Sequence, residues 1–347
     1  MQETVRLALS KIYVSIFIIF IYCESSAQIY PDARVDYLLR TGINFIVTQN
    51  YDSAGLIFKS LDQEFPQLPL GKIYLAANKI AEAYDYTKDF DETFINKNLD
   101  DAKDQAQKLI IKSENNIWNH YFIALAEGYS SYFDGLNGNW LSAISTGINS
   151  ISEFEKILES NDIFYEAYIA IGTFGYWKNK KLEFMDWLPF SSDTKSISIE
   201  QLIVAIDSSS YNSHLAINSL IWIYIDQKRF DEAINLAEQA IINFPESRSF
   251  KWGLARAYEE RNPAKAIQLY LEILNSYPVS VTENFVNEIT LKHIIAQQYA
   301  KLGNKFEALT YCNEILSIKN LPPKIIDQLS ERLDRVKSLK NDLINHN

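Results

Sequence analysis

A chain of 347 residues, 47% of them hydrophobic and 13% aromatic, carries enough apolar surface for a large packed core and is not a disordered polypeptide. Its 44 acidic against 33 basic side chains leave a net charge of -11. That charge repels nucleic-acid phosphates and anionic lipid surfaces at long range, which argues against DNA, RNA or polybasic membrane docking.

Residues 1–27 read as a secretory signal peptide, with Arg6 and Lys11 before an apolar run from Ile12 to Tyr22 and Ser25-Ser26-Ala27 after it. The run is about 11 residues, short of the roughly 20 that span a bilayer. Cleavage is expected before Gln28. The rival is a lipoprotein anchored through Cys23, although Tyr22 stands where such signals want a small residue. Cleavage leaves Cys312 without a disulfide partner, and its place in an apolar stripe with Leu309, Ile315 and Leu316 makes it a small buried hydrophobe. An exported chain of this size without disulfides or an Asn-X-Ser/Thr sequon is bacterial in character, so the periplasm or cell envelope is the expected location.

The remainder, 28–347, has no Gly- or Ser-rich linker and reads as one continuous domain. Over 35–66, Leu38, Gly42 and Phe45 line one helix, and Ala54, Phe58 and Leu61 line a second that ends at Pro66. Leu68 to Thr87 and Asp91 to Lys112 carry helical spacing at greater length and predict a widened hairpin. From Ile117 to Leu158 the pattern returns, with Leu125, Ala126 and Tyr129 on the first helix and Ala143, Ile144, Ile151 and Phe154 on the second. Between them, Tyr132 to Trp140 combines aromatics with Gly135 and Gly138 and predicts a shaped loop. Phe164 to Lys180 forms another first helix. Leu182 to Asp193, with Pro189 and three large aromatics, then interrupts the pattern before a helix resumes near Ile199 and runs to Ser208.

The pattern is clearest over 213–246 and 247–278. Leu220-Ile221 and Tyr224 are followed, past Lys228-Arg229, by Ala233, Ala240 and Pro245; Leu254-Ala255, Tyr258, Ala266, Ile273 and Pro278 repeat the series. The period is about 33 residues, as for two short helices packed antiparallel, with small residues where they touch and Pro where the second stops. A further unit spans 289–320, with Ile295, Ala296, Tyr299, Ala308, Cys312 and Ile315. After Pro322-Pro323, an amphipathic helix over 322–345 carries Ile325, Leu329, Leu333, Val336 and Leu339 on one stripe, as expected of a cap on the exposed end of a stack.

This pattern resembles the tetratricopeptide repeat. The resemblance implies an all-α, right-handed α-solenoid of helical hairpins closed by a C-terminal capping helix. More weakly, Tyr176-Trp177 and the Leu-Pro-Phe segment resemble exported bacterial members of the superfamily and its inclusion-body-clearance branch.

Catalytic signals are missing from the sequence. None of the four histidines, His120, His214, His293 and His346, has a second His or a Cys at metal-ligand spacing, and no phosphate-binding glycine loop or Gly-x-Ser-x-Gly elbow occurs. The expectation is therefore no enzyme, no cofactor and no metal. A binding surface is easier to place, because the resemblance implies that first helices line the concave face. The register of Leu220 and Tyr224 then turns Asn218 and Trp222 inward, followed by Trp252, Arg256 and Glu259, then His293 and Gln297; upstream it adds Glu127, Thr173, Tyr176 and Trp177. A groove with aromatics and few lysines fits a peptide or a glycan. The expected function is an exported scaffold with a protein or peptide partner. The alternative is a glycan- or lipid-binding envelope protein using the aromatic groove and the Leu182 to Asp193 segment.

Overall fold

The computed structural model describes residues 28–182, 195–278 and 284–345. The expected signal peptide over 1–27, the segment from 183 to 193 and His346 lie outside the described residues. Within them, every regular element is a helix. Seven hairpins follow in order: α1 (Ala33–Val47) with α2 (Tyr51–Glu64), α3 (Leu70–Asp85) with α4 (Glu92–Lys112), and α5 (Ile117–Leu136) with α6 (Trp140–Ser160). Then come α7 (Tyr165–Leu182) with α8 (Lys195–Ser208), α9 (Ser213–Asp226) with α10 (Phe230–Asn243), α11 (Arg248–Tyr258) with α12 (Pro263–Ser276), and α13 (Phe285–Lys301) with α14 (Lys305–Ser317). A final helix, α15 (Pro323–Asn345), lies against α13 and α14. Each helix packs on the next, and the molecule is an α-solenoid with a capping helix.

Short polar side chains start many of the helices. Asp32, Asn50, Asp91, Asn116 and Asn262 each accept a hydrogen bond from the first turn they precede, and Pro263 takes the first position of α12, where its missing N–H costs nothing. Five first helices end alike. A left-handed residue (Gln49, Thr87, Gly138, Lys228 or Gly303) lets the next N–H reach back five residues, as from Asn50 to the Phe45 carbonyl and from Arg229 to that of Tyr224. This turn sets the antiparallel second helix.

The turn also corrects the loop expected over 132–140. Helix α5 runs through Gly135 to Leu136, and α6 begins at Trp140. Only Gly138 needs the left-handed backbone, at φ 78°, so the two glycines mark a turn rather than an insertion. Helices α8 and α13 likewise begin earlier than expected, at Lys195 and Phe285.

Small residues bring the paired helices together. A Cβ on Gly42 would lie 2.5 Å from the Phe58 ring. Ala54, Ala233, Ala255, Ala266, Ala296 and Ala308 are wholly buried. One apolar core runs from Val35 on α1 to Ile295 on α13. Ile289, Ala296, Cys312 and Ile315 form a second cluster that Leu329 and Val336 of α15 cover, which is why the cap is amphipathic.

Candidate functional site

The first helices of the last three hairpins, α9, α11 and α13, present the expected row unevenly. Asn218 and Trp222 on α9 are half-buried, as is Trp252 on α11, whose indole meets the Tyr270 ring edge-on at 5.4 Å. Arg256 and Gln297 are exposed. Upstream on α7, Thr173 is half-buried and donates to the Ser219 hydroxyl at 2.9 Å, while Trp177 is half-buried with its ring edge-on to Tyr176 at 5.2 Å. Glu127 on α5 is half-buried, and burial pushes its carboxyl above the usual range.

Three residues expected in the groove are packed away instead. Tyr176 is 1% exposed and donates to Asp226 Oδ2 at 2.8 Å, tying α7 to α9. Glu259 is 6% exposed because the Tyr270 hydroxyl donates to it at 2.5 Å and Arg256 pairs with its other oxygen. His293 is 1% exposed under α15, with Arg332 donating to its Nδ1 at 3.4 Å. Burial, together with the charges of Arg332 and Arg335, holds its imidazole down at about 4, so it is neutral at pH 7.

The chain also returns on itself. Asn212, just before α9, donates to Glu166 Oε2 at 2.7 Å and to the Tyr121 hydroxyl at 3.3 Å, and it also meets the Tyr74 hydroxyl. Glu166 further accepts from the Tyr211 N–H at 2.7 Å; burial raises its pKa and these hydrogen bonds oppose the rise. Three first helices, α3, α5 and α7, and the turn before α9 thus converge on one buried polar cluster. A second cluster joins the end of α3 to the start of α11. Buried Arg248 pairs with Asp85, which also accepts from the Tyr51 hydroxyl at 3.1 Å, and the guanidinium lies 4.7 Å from the Tyr277 ring centre and 5.6 Å from that of Tyr86. Burial pulls the Arg248 pKa down, but the hydrogen bonds and charge of Asp85 outweigh it and the net shift is upward. Gln49 accepts from the Arg248 N–H, Asn287 donates to the Asp85 carbonyl at 2.8 Å, and Lys324 pairs with Asp89. The early hairpins are therefore bolted to the edge of the later ones, and accessible side chains remain on α9, α11 and α13 among other helices.

Residues 219–280 match the family described as the tetratricopeptide repeat. This segment carries tetratricopeptide repeats. Among solved structures it is similar to a thermophilic TPR protein of Thermus thermophilus, at 14% identity over 64% of this chain and 98% of that one, with a TM-score of 0.40. It is also similar to the C-terminal part of a TPR repeat-containing protein from Cytophaga hutchinsonii, at 14% identity over 84% of this chain and 99% of that one, with a TM-score of 0.41. No curated protein sequence matches the chain. No helix of the described residues is long and apolar enough to cross a membrane, and among those residues no group of three or more His, Cys, Asp or Glu is arranged to hold a metal ion.

Proposed function

We propose that this tetratricopeptide-repeat protein is an exported, non-catalytic scaffold of the bacterial envelope that binds a protein or peptide along the open face of α9, α11 and α13. The observation that carries the proposal is the run of half-buried or exposed side chains on three successive first helices: Asn218 and Trp222, then Trp252 and Arg256, then Gln297. Half-buried tryptophans beside an exposed Arg are the residue types that dominate protein interfaces, since each offers a large rigid surface together with a hydrogen-bonding edge. Export is supported by Arg6 and Lys11, the short apolar run and the small residues before Gln28.

Affinity capture from envelope extract, with mass spectrometry of proteins and of bound small molecules, tests the binding assignment. Recovery of one specific protein supports it, and a bound sugar or lipid favours the alternative. N-terminal sequencing of the exported protein is expected to begin at Gln28, and a cytoplasmic protein that keeps residues 1–27 contradicts export.

A further inference from the structure

We propose that the outward side of α6 is a self-association surface, on which a second copy of this chain docks its own α6 antiparallel about a two-fold axis. Over its first half the helix is inside out. The positions it turns to its neighbours hold small residues: Ala143 and Ser150 are buried, Ser150 donates to the Ala124 carbonyl of α5 at 2.7 Å, and a Cβ on Gly147 would lie 2.7 Å from the Phe174 ring of α7. The large aliphatic residues are on the other side. Leu141 is 88% exposed, Ile144 41% and Ile148 47%, and their spacing of three and four residues puts them on one stripe. The helix cannot turn to bury that stripe, because no larger side chain fits where Gly147 meets Phe174 and the Ser131 hydroxyl, which itself donates to the Ala143 carbonyl at 2.7 Å. A helix that packs through its small residues and presents its large aliphatic ones outward is built to be covered on both sides.

Charge selects a second copy as the cover. The chain carries a net charge of -11, and other second helices turn charge outward, as α4 does with Asp101, Asp104 and Lys108 and α10 with Asp231 and Glu232. On α5 and α6, no charged residue lies between Asp134 and Glu153. Two such chains repel one another over most approaches, and at α6 they touch without bringing carboxylates together. An antiparallel crossing centred on Ile144 and Ser145 seats Leu141 of each copy over Ile148 of the other, and the small Ser145 lets the helix axes approach. Glu155 and Glu159, further along the same stripe, then fall beyond the overlap. With exposed Trp140 beside it, the stripe offers on the order of 500 Å² of apolar surface, short of the roughly 800 Å² per partner of a standard interface, so the dimer is weak and depends on concentration. The surface lies on a second helix, whereas the peptide face is built from first helices, so the two assignments stand independently.

Sedimentation velocity of the exported chain, 28–347, from roughly 1 to 200 μM should show a monomer–dimer equilibrium that tightens as added salt screens the repulsion. Leu141→Glu and Ile148→Lys, each alone, should weaken it about tenfold or more, because each sets an unpaired charge against an aliphatic side chain. Leu141 is so exposed that its variant should melt with the parent, and Leu56→Glu, at another exposed leucine on α2, should leave the dimer intact. An equal mixture of the two α6 variants should regain the dimer, since a mixed pair sets the new carboxylate against the new ammonium and keeps one Leu141 over one Ile148. A folding defect cannot produce that rescue. A chain that stays monomeric throughout the range, a dimer untouched by Leu141→Glu, or a mixture without rescue overturns the proposal. So does flotation of a monomeric chain with phosphatidylcholine vesicles that Leu141→Glu abolishes, which would give the stripe to a lipid surface.

Discussion

The seam between the early and late hairpins and the open face of α9, α11 and α13 are built from similar residues and treat them oppositely. In the seam, Arg248 has Asp85 and a sleeve of tyrosines, and Glu166 has three donors from the turn before α9. On and around the open face, Asn218 Oδ1, His293 Nε2 and Gln298 Oε1 are buried without partners and Arg332 lacks a counter-charge; the seam also leaves the Ser209 and Ser210 hydroxyls unpaired, so the contrast lies in its buried charges, Arg248 and Glu166, which are both satisfied. The difference teaches where stability and function separate. Polar groups that complete one another fix the superhelix, whereas groups left short of partners are expected where something else completes them.

The comparison breaks most visibly at the buried ion pair. Asp85→Ala leaves the Arg248 charge uncompensated and should lower stability by about 3 to 5 kcal/mol in denaturant unfolding, while Asp85→Leu combined with Arg248→Met should recover much of that loss. A double variant as unstable as Asp85→Ala alone would mean that the pair is not an electrostatic bolt.

Acid gives the next largest effect. His293 titrates near 4 in the folded chain against an ordinary value of 6.5, so the folded state binds fewer protons and stability falls as pH drops from about 6.5 toward 4. The loss attributable to this group is about 3 kcal/mol, and His293→Gln should flatten the profile by that amount in melts from pH 7 to pH 4. An unchanged profile contradicts the burial of a neutral imidazole beside Arg332 and Arg335.

A smaller effect comes from overpacking. Ala233 is wholly buried in the hairpin of α9 and α10, and Ala233→Leu should cost about 1 to 3 kcal/mol by thermal melting. An unaffected melting temperature would show that the interface can yield.

The hairpins were legible in the sequence because their contacts are local. Gly42 against Phe58, and Ala233, Ala255 and Ala266 at zero exposure, recur at fixed spacing, so the period alone locates them. The seam was not legible. Asp85 meets Arg248, and Asn212 meets Tyr74 and Tyr121, only because small rotations between successive hairpins accumulate until the chain returns on itself, and no local pattern records that sum. The candidate row was half legible for the same reason. Its register placed Trp222, Trp252 and Arg256 on accessible ground but could not foresee that α15 covers His293 or that Tyr270 and Arg256 satisfy Glu259.

The open face is tested most directly by Trp222→Ala and Trp252→Ala, measured for both melting temperature and retention of the captured envelope partner. Trp222 is half-buried and absent from the core clusters, whereas Trp252 also packs on Tyr270 and the main core. The account predicts that Trp222→Ala loses the partner, at a cost of about 2 kcal/mol or more in binding, with melting nearly unchanged. Trp252→Ala should lose the partner and some stability together. Full retention of the partner in both variants, or a collapsed melting temperature in Trp222→Ala, would contradict a binding face on α9, α11 and α13.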